Sequence, residues 1–269
     1  MYTNVNLAAP VGALAFLGTG LLLFVVGLAL VYSLVRKKFR LGRFALVTIV
    51  LVTGLYLVVL LIFSFASSEK VLARGEEKHF CEIDCHLAYS VTDVRETKTL
   101  SDAPNQLTAV GVFRVVTIKT RFDENTISAH RGNGLLYPNS RVVTVSDENG
   151  NQYQPSPEAQ RVLEKSQAAG TPMTIPLRPG ESYSTTLVFD LPAAVKNSTL
   201  LIREGELVTH FVIGHENSPL HKKTRFQLWV LRYARLGLET TALLKSMRLF
   251  DANCWAAQRG GGFERHAIA

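Results

Sequence analysis

Two apolar runs near the N-terminus constrain this chain more than any other feature. Residues 11–35 (VGALAFLGTGLLLFVVGLALVYSLV) carry no charge and are long enough to cross about 30 Å of hydrocarbon at about 1.5 Å per residue. Residues 44–66 (FALVTIVLVTGLYLVVLLIFSFA) are equally apolar, and the linker between the runs is so short that two spans must form an antiparallel hairpin. A cleaved signal peptide needs a basic n-region and a shorter apolar core. Nothing before residue 36 is basic, so residues 1–68 are expected to stay as a transmembrane hairpin with the lipid bilayer as its first partner.

Charge predicts the orientation. The linker RKKFRLGR holds Arg36, Lys37, Lys38, Arg40 and Arg43, whereas the residues before the first span hold no Lys or Arg. The positive-inside rule makes that linker cytoplasmic. Both termini and everything after Ser67 then face outward, which in a bacterium means the inner membrane with both termini in the periplasm.

The formal net charge of +7 invites a nucleic-acid reading until the chain is divided. Five of the basic residues are the topology signal, and an outward-facing domain has no access to cellular nucleic acid. Residues 67–218 hold 15 basic and 19 acidic residues, and residues 219–269 hold 9 and 3. The outer part is an acidic body with a basic tail, and nucleic acid is not an expected partner.

The body is large enough to bury one core and reads as all-β. Alternating or β-branched runs recur at HLAYSVTDV, LTAVGVFRVVTIKTRF, SRVVTVSD, SYSTTLVFDL, STLLIRE and ELVTHFVIG, separated by the turn chemistry of DENGN, RPGE and HRGNG. Six to eight antiparallel strands in a two-sheet sandwich are expected. One helical interruption, SPEAQRVLEKSQAAG, has Ser156 as N-cap, Pro157 in the first turn and Gly170 beyond its end, and is expected to cover one end of the sandwich.

The order VVTVSDENGNQYQPS, then LRPGESYSTTLVFDLP, then a last strand reaching FVIGHENSPLHKKTRF resembles a family of immunoglobulin-like domains of unknown function carried on bacterial membrane-anchored proteins and lipoproteins. The resemblance covers residues 86–226. It implies an Ig-like fold and no particular activity, since sandwiches host unrelated functions. The plan of two spans followed by a sandwich also looks like subunit II of haem-copper oxidases. That family's copper motif has two cysteines four apart and then a His and a Met. Here Cys81 and Cys85 match, but the later positions are Tyr89 and Thr92, and the cysteines precede the sandwich.

The stretch HFCEIDCH, residues 79–86, at the end of an expected helical stalk (69–85), admits three chemistries. A Cys81–Cys85 disulfide suits an oxidising compartment, provided a turn brings together residues that a straight strand would hold about 13 Å apart. Copper held by Cys81, Cys85 and His86, with His79 as a further ligand, suits soft thiolate and imidazole donors. Attachment of haem c through Cys81, Cys85 and His86 requires three intervening residues where two are usual. The disulfide is the expected outcome, and no cofactor is expected.

Other chemistry-bearing residues have plainer readings. Asp123 and Glu124 in RFDENT mark a loop at a strand end. His210 belongs to the outer face of a strand, and His215 and His221 flank the turn ENSPL as surface histidines. No GxSxG, P-loop or HExxH motif occurs, so hydrolase, nucleotide and zinc-protease chemistry is not expected and the protein reads as no enzyme. Residues 227–269 begin with QLWVLRYARLGLETTALLKSMRLF, which places Leu228, Leu231 and Leu238 at helical spacing with Arg232 and Arg235 among them. This reads as an amphipathic basic helix that packs on the membrane surface or on a partner. The whole therefore reads as a non-catalytic, periplasmic interaction module, an accessory subunit of a respiratory or photosynthetic membrane complex. Copper or redox handling through Cys81, Cys85 and His86 is the alternative.

Overall fold

The structure is a computed structural model and describes residues 8–80, 85–101, 106–125 and 132–229. The chain divides into two units, Met1–Trp229 and Val230–Ala269, and the description below concerns the first.

Helices α1 (Ala8–Val35) and α2 (Phe39–Ala66) pack on each other. Both are long and apolar enough to cross a membrane. Lys37 takes a positive φ of 52°, and the Lys38 and Lys37 amides donate to the Ser33 and Leu34 carbonyls at 2.8 and 3.2 Å. These two bonds close α1 in a Schellman motif. The buried residues of α2 are Gly42, Ala45, Leu60 and Ser64, and at Gly42 the small residue lets the two helices approach. A Cβ on Gly42 would stand 2.7 Å from the Ser33 Oγ. Three hydroxyls in the helices return to their own backbone, Ser33 to Leu30 O, Thr48 to Phe44 O and Ser64 to Leu60 O, a common habit of Ser and Thr within helices. Most of the large apolar side chains, from Leu14 and Phe24 to Leu55 and Phe65, point away from the protein.

The rest of the unit is two mostly antiparallel sheets around one core. The strands are β1 (Lys70–Leu72), β2 (Glu77–Phe80), β3 (Leu87–Leu100), β4 (Leu107–Phe122), β5 (Arg141–Ser146), β6 (Gln152–Tyr153), β7 (Ser182–Leu191), β8 (Thr199–Glu204) and β9 (Thr224–Gln227). One sheet runs β1-β9-β8-β5-β6 and the other β2-β3-β4-β7. Tyr89, Val116, Ile118 and Phe189 of one sheet and Val145, Leu200, Ile202 and Phe226 of the other share the core. Burying each such side chain is worth about 1.5–3 kcal/mol.

Several elements depart from the sequence reading. Residues 69–85, expected as a helical stalk, contain two strands. β1 lies parallel to β9, with Lys70 beside Thr224, and β2 pairs with β3. A turn at Gly75 (φ 84°), held by the Glu76 carboxylate on the Ala73 amide at 2.7 Å, separates them. ELVTHFVIG does not form a strand but the 3-10 turn Leu207–Phe211, because β8 stops at Glu204 and the Thr209 hydroxyl bonds back to the Glu206 carbonyl at 2.6 Å. Helix α3 (Pro157–Lys165) is capped by Ser156 as expected. It covers a sheet face rather than an end, since Ala159 and Leu163 pack on Phe113, Val115 and Val188. That second covered face explains the nearly unbroken apolar run of β4.

Candidate functional site

Alternation along β2 splits its side chains between two faces. Glu77 and His79 face one way, Lys78 and Phe80 the other, and each pair founds a charged cluster.

The first cluster depends on register. His79 lies beside Ala88, and Ala88 lies beside Arg121, so the small residue between them leaves room for large neighbours to meet over β3. Arg121 donates two bonds to Glu77, at 2.7 and 2.6 Å, in the bidentate geometry that suits a guanidinium. It also reaches Asp123 at 3.1 Å. The His79 Nε2 stands 2.9 Å from the Asp123 carboxylate, and the Asn125 amide donates to it at 3.0 Å. His86 places Nδ1 2.5 Å from the Asp123 carbonyl and stacks on Phe122 at 4.9 Å.

Burial works to raise the Asp123 carboxyl, but the bonds from His79, the Asn125 amide and Arg121 outweigh it and hold it below the ordinary carboxylate range. Glu77 is held low chiefly by its bond to Arg121, whose own guanidinium is pushed up mainly by the bond to Glu77. The ligand atoms of Glu77, His79 and Asp123 lie within 4.8 Å of one another, close enough to hold a metal ion. The guanidinium of Arg121 already stands against both carboxylates, however, and supplies the positive charge that an ion would. Among the described residues the cluster is an ion-pair network centred on Arg121.

The second cluster lies on the other face of β2. The Lys78 Nζ donates to the Glu216 carboxylate at 2.5 Å and to the carbonyls of Ile202 and Thr224 at 2.8 and 3.2 Å, which uses all three ammonium protons. Arg141 and Glu204 stand opposite each other on β5 and β8, 3.9 Å apart, and the Arg141 guanidinium covers the Phe80 ring at 4.4 Å. His215 reaches Glu204 at 3.4 Å. Burial pushes the Lys78 ammonium down. Burial also works to raise Glu204 and Glu216, yet His215 on the first and Lys78 on the second leave both below the usual range. Of these five only His215 was singled out from the sequence, and there as a surface histidine. The available signal was period two: Arg141 continues Val143 and Val145, and Glu204 continues Leu200 and Ile202, on the inward faces.

The four lowered carboxyls make stability depend on pH. Their folded-state pKa values lie below the ordinary 4.5 for glutamate and 3.8 for aspartate, so the stabilisation is complete above those values and is lost as pH falls through them. The urea midpoint of the full chain in detergent should hold from neutral pH to about 5 and then drop steeply. Asp123→Asn should start lower at neutral pH and lose less on acidification.

The residues singled out from the sequence fare differently. His79 and His86 do come together, on Asp123. Cys85 is buried and adopts φ 59°; Cys81, and with it the expected pairing, lies outside the described residues. Arg36, Lys37, Lys38, Arg40 and Arg43 gather at the α1–α2 turn, with the Lys38 ammonium over the Tyr32 ring at 5.5 Å. Leu228, read as partner-binding, is instead a core residue 1% exposed, its amide bonded to the Ser198 carbonyl at 3.2 Å. β9, immediately before it, carries the chain into the body. Leu231, Arg232, Arg235 and Leu238 lie outside the described residues. Asp123 does sit at a strand end but is buried. His210 is on the 3-10 turn, bonded to the Leu207 carbonyl at 3.1 Å, and not on a strand. His215 is largely buried, and burial pushes the half-buried His221 down.

No family model matches the sequence, and no curated protein matches it. Among solved structures, the secreted protein MPT63 of Mycobacterium tuberculosis is similar at 11% identity and a TM-score of 0.35, over 60% of this chain and 97% of that one. A conserved hypothetical protein of Bacillus anthracis is similar at 17% identity and a TM-score of 0.35, over 48% of this chain and 88% of that one. Likeness at this level says nothing further about this chain.

Proposed function

We propose that this protein is a membrane-anchored interaction module. The helical hairpin spans a bacterial inner membrane and holds an Ig-like β-sandwich on the periplasmic side, where it serves as a non-catalytic accessory subunit of a larger membrane complex. One contrast carries the reading: the hairpin directs its apolar side chains outward, whereas carboxylates in both charged clusters of the body are paired with cations of the body itself, Lys78 and Arg121. The first property fits lipid and helices of other subunits. The second fits ion pairs that fix a fold more than groups poised for acid, base or ligand chemistry. Cys81 is the partner we assign to Cys85, a bridge that would brace the β2–β3 connection.

Gentle detergent extraction and affinity purification of the full chain test this. The protein should migrate in native gels with other subunits, and removal of the basic residues 230–269 should leave it folded but lower that co-purification severalfold. Migration alone at every salt concentration would overturn the accessory-subunit reading. Stoichiometric copper that disappears in Cys85→Ser, or a haem absorption spectrum, would replace it with metal handling. Intact mass before and after reduction checks the bridge.

A further inference from the structure

The segment 205–221 (GELVTHFVIGHENSPLH) reverses the body's usual order, in which large apolar side chains turn inward. Leu207 is 74% exposed, Leu220 65%, Val208 55% and Phe211 49%, and all four belong to this one connection between β8 and β9. In water that display is unfavourable by about 1.5–3 kcal/mol for each large side chain.

The segment does not stand free. It is seated against the hairpin at two points. The Tyr56 hydroxyl donates to the Phe211 carbonyl at 2.6 Å, and a Cβ on Gly12 would overlap the Ile213 carbonyl oxygen. Tyr56 lies ten residues before the end of α2 at Ala66, about 15 Å down the helix at about 1.5 Å per residue. Because α1 and α2 run antiparallel from the turn, Gly12 lies near the outer end of α1 and Tyr56 deeper. From Ile213 back to Phe211 the chain therefore descends along the hairpin toward the basic turn.

Depth can be estimated. If hydrocarbon begins after Arg43, the last basic residue of the turn, roughly 30 Å corresponds to about 20 helical residues and ends near residue 63. Tyr56 and the Phe211 carbonyl would then lie about 10 Å inside the outer boundary. A phenol and a carbonyl at that depth have no water and must satisfy each other, which is the pairing found. Just past the segment the Lys222 amide donates to the Ser67 Oγ at 2.8 Å, at the outer end of α2, which puts Lys222 and Lys223 at the level of lipid phosphates.

We infer that Leu207–Phe211 is a third membrane-contacting element, an apolar turn that enters the outer leaflet beside the hairpin, seated by Tyr56 and Gly12, with Leu220, Lys222 and Lys223 at the headgroup boundary. Its occupant is phospholipid. The inference rests on the spanning reading above. It fixes the body close against the membrane, with the charged cluster of Lys78, Glu204, His215 and Glu216 next to the inserted segment.

The test uses the full chain in vesicles of phosphatidylethanolamine and phosphatidylglycerol, with a photo-crosslinking benzoylphenylalanine placed singly at Leu207, Phe211, Val58 of α2 or Val110, which is 97% exposed on the body. Lipid adducts are read by mass spectrometry. Leu207 and Phe211 should give adducts severalfold above Val110 and comparable to Val58. Gly12→Val should lower the Phe211 adduct severalfold and leave that at Val58 unchanged. Adducts at Val58 without any above Val110 at Leu207 and Phe211, or crosslinks there only to a second copy of the chain, would overturn this inference and leave the spanning helices standing. No adduct at Val58 would overturn the spanning reading, and this inference with it. A Phe211 adduct unaffected by Gly12→Val would refute the seating on the hairpin.

Discussion

Lys78→Ala should destabilise the full-length protein by about 3–5 kcal/mol, a large share of the roughly 5–15 kcal/mol that holds a domain together. The Lys78 ammonium is buried, and its bonds go to Glu216, Ile202 and Thr224. Removing it leaves the Glu216 carboxylate, itself 19% exposed, without its cation and strips a donor from two carbonyls. Most of the loss is the cost of an unpaired buried charge rather than the intrinsic worth of the pair. Lys78→Met combined with Glu216→Gln should therefore lose clearly less than Lys78→Ala alone. The exposed Arg95–Asp93 pair, at a similar separation of 2.9 Å but with side chains 70% and 46% exposed, should contribute under about 1 kcal/mol. Urea unfolding in detergent at neutral pH measures all three, and a Lys78→Ala loss no larger than that of Arg95→Ala would remove the buried cluster from the forces that hold this fold.

The sequence was most legible where one kind of residue dominates. The two apolar helices follow from composition and length, and α3 from Ser156 and Pro157, because each of those signals is local. Strands β3, β4, β5, β7 and β8 were readable from alternation. β1 was not, because three residues form a strand only when β9, more than 150 residues later, offers an edge. β2 was hidden by its charges, since EKH resembles a solvated helix face until one knows that Lys78 is neutralised by Glu216 and Glu77 by Arg121. The site was half legible. HFCEIDCH drew attention to His79 and His86, but through metal-ligand spacing, whereas what joins them is Asp123 at the end of β4, brought near by the register His79–Ala88–Arg121. Arg141 and Glu204 continue inward-facing rows at positions where a charge is normally read as the end of a strand's buried face. Leu228 was grouped with the leucines at helical spacing that follow it, although the strand TRFQ delivers it to the core.

A reporter enzyme that is active only outside the cytoplasm should be fully active when fused after Ser67 and inactive when fused after Leu41. The body and the basic turn sit at opposite ends of the hairpin: Ser67 accepts from the Lys222 amide at 2.8 Å, whereas Arg36, Lys37, Lys38, Arg40 and Arg43 cluster where α1 meets α2. A spanning hairpin therefore puts body and turn on different sides of the membrane, and charge decides which. Carrying a positive charge outward against the membrane potential costs about 2.3 kcal/mol per 100 mV. For five such charges the bias at about 100 mV is on the order of 10 kcal/mol, and the flanks without Lys or Arg offer nothing of the kind to oppose it. Replacing all five with glutamine should weaken the bias until both fusion points show intermediate activity. Full activity after Leu41 and none after Ser67 would invert the topology, place the Cys85 bridge and the body in the cytoplasm, and end the periplasmic reading. Equal activity at both points in the unaltered protein would mean that the hairpin does not span.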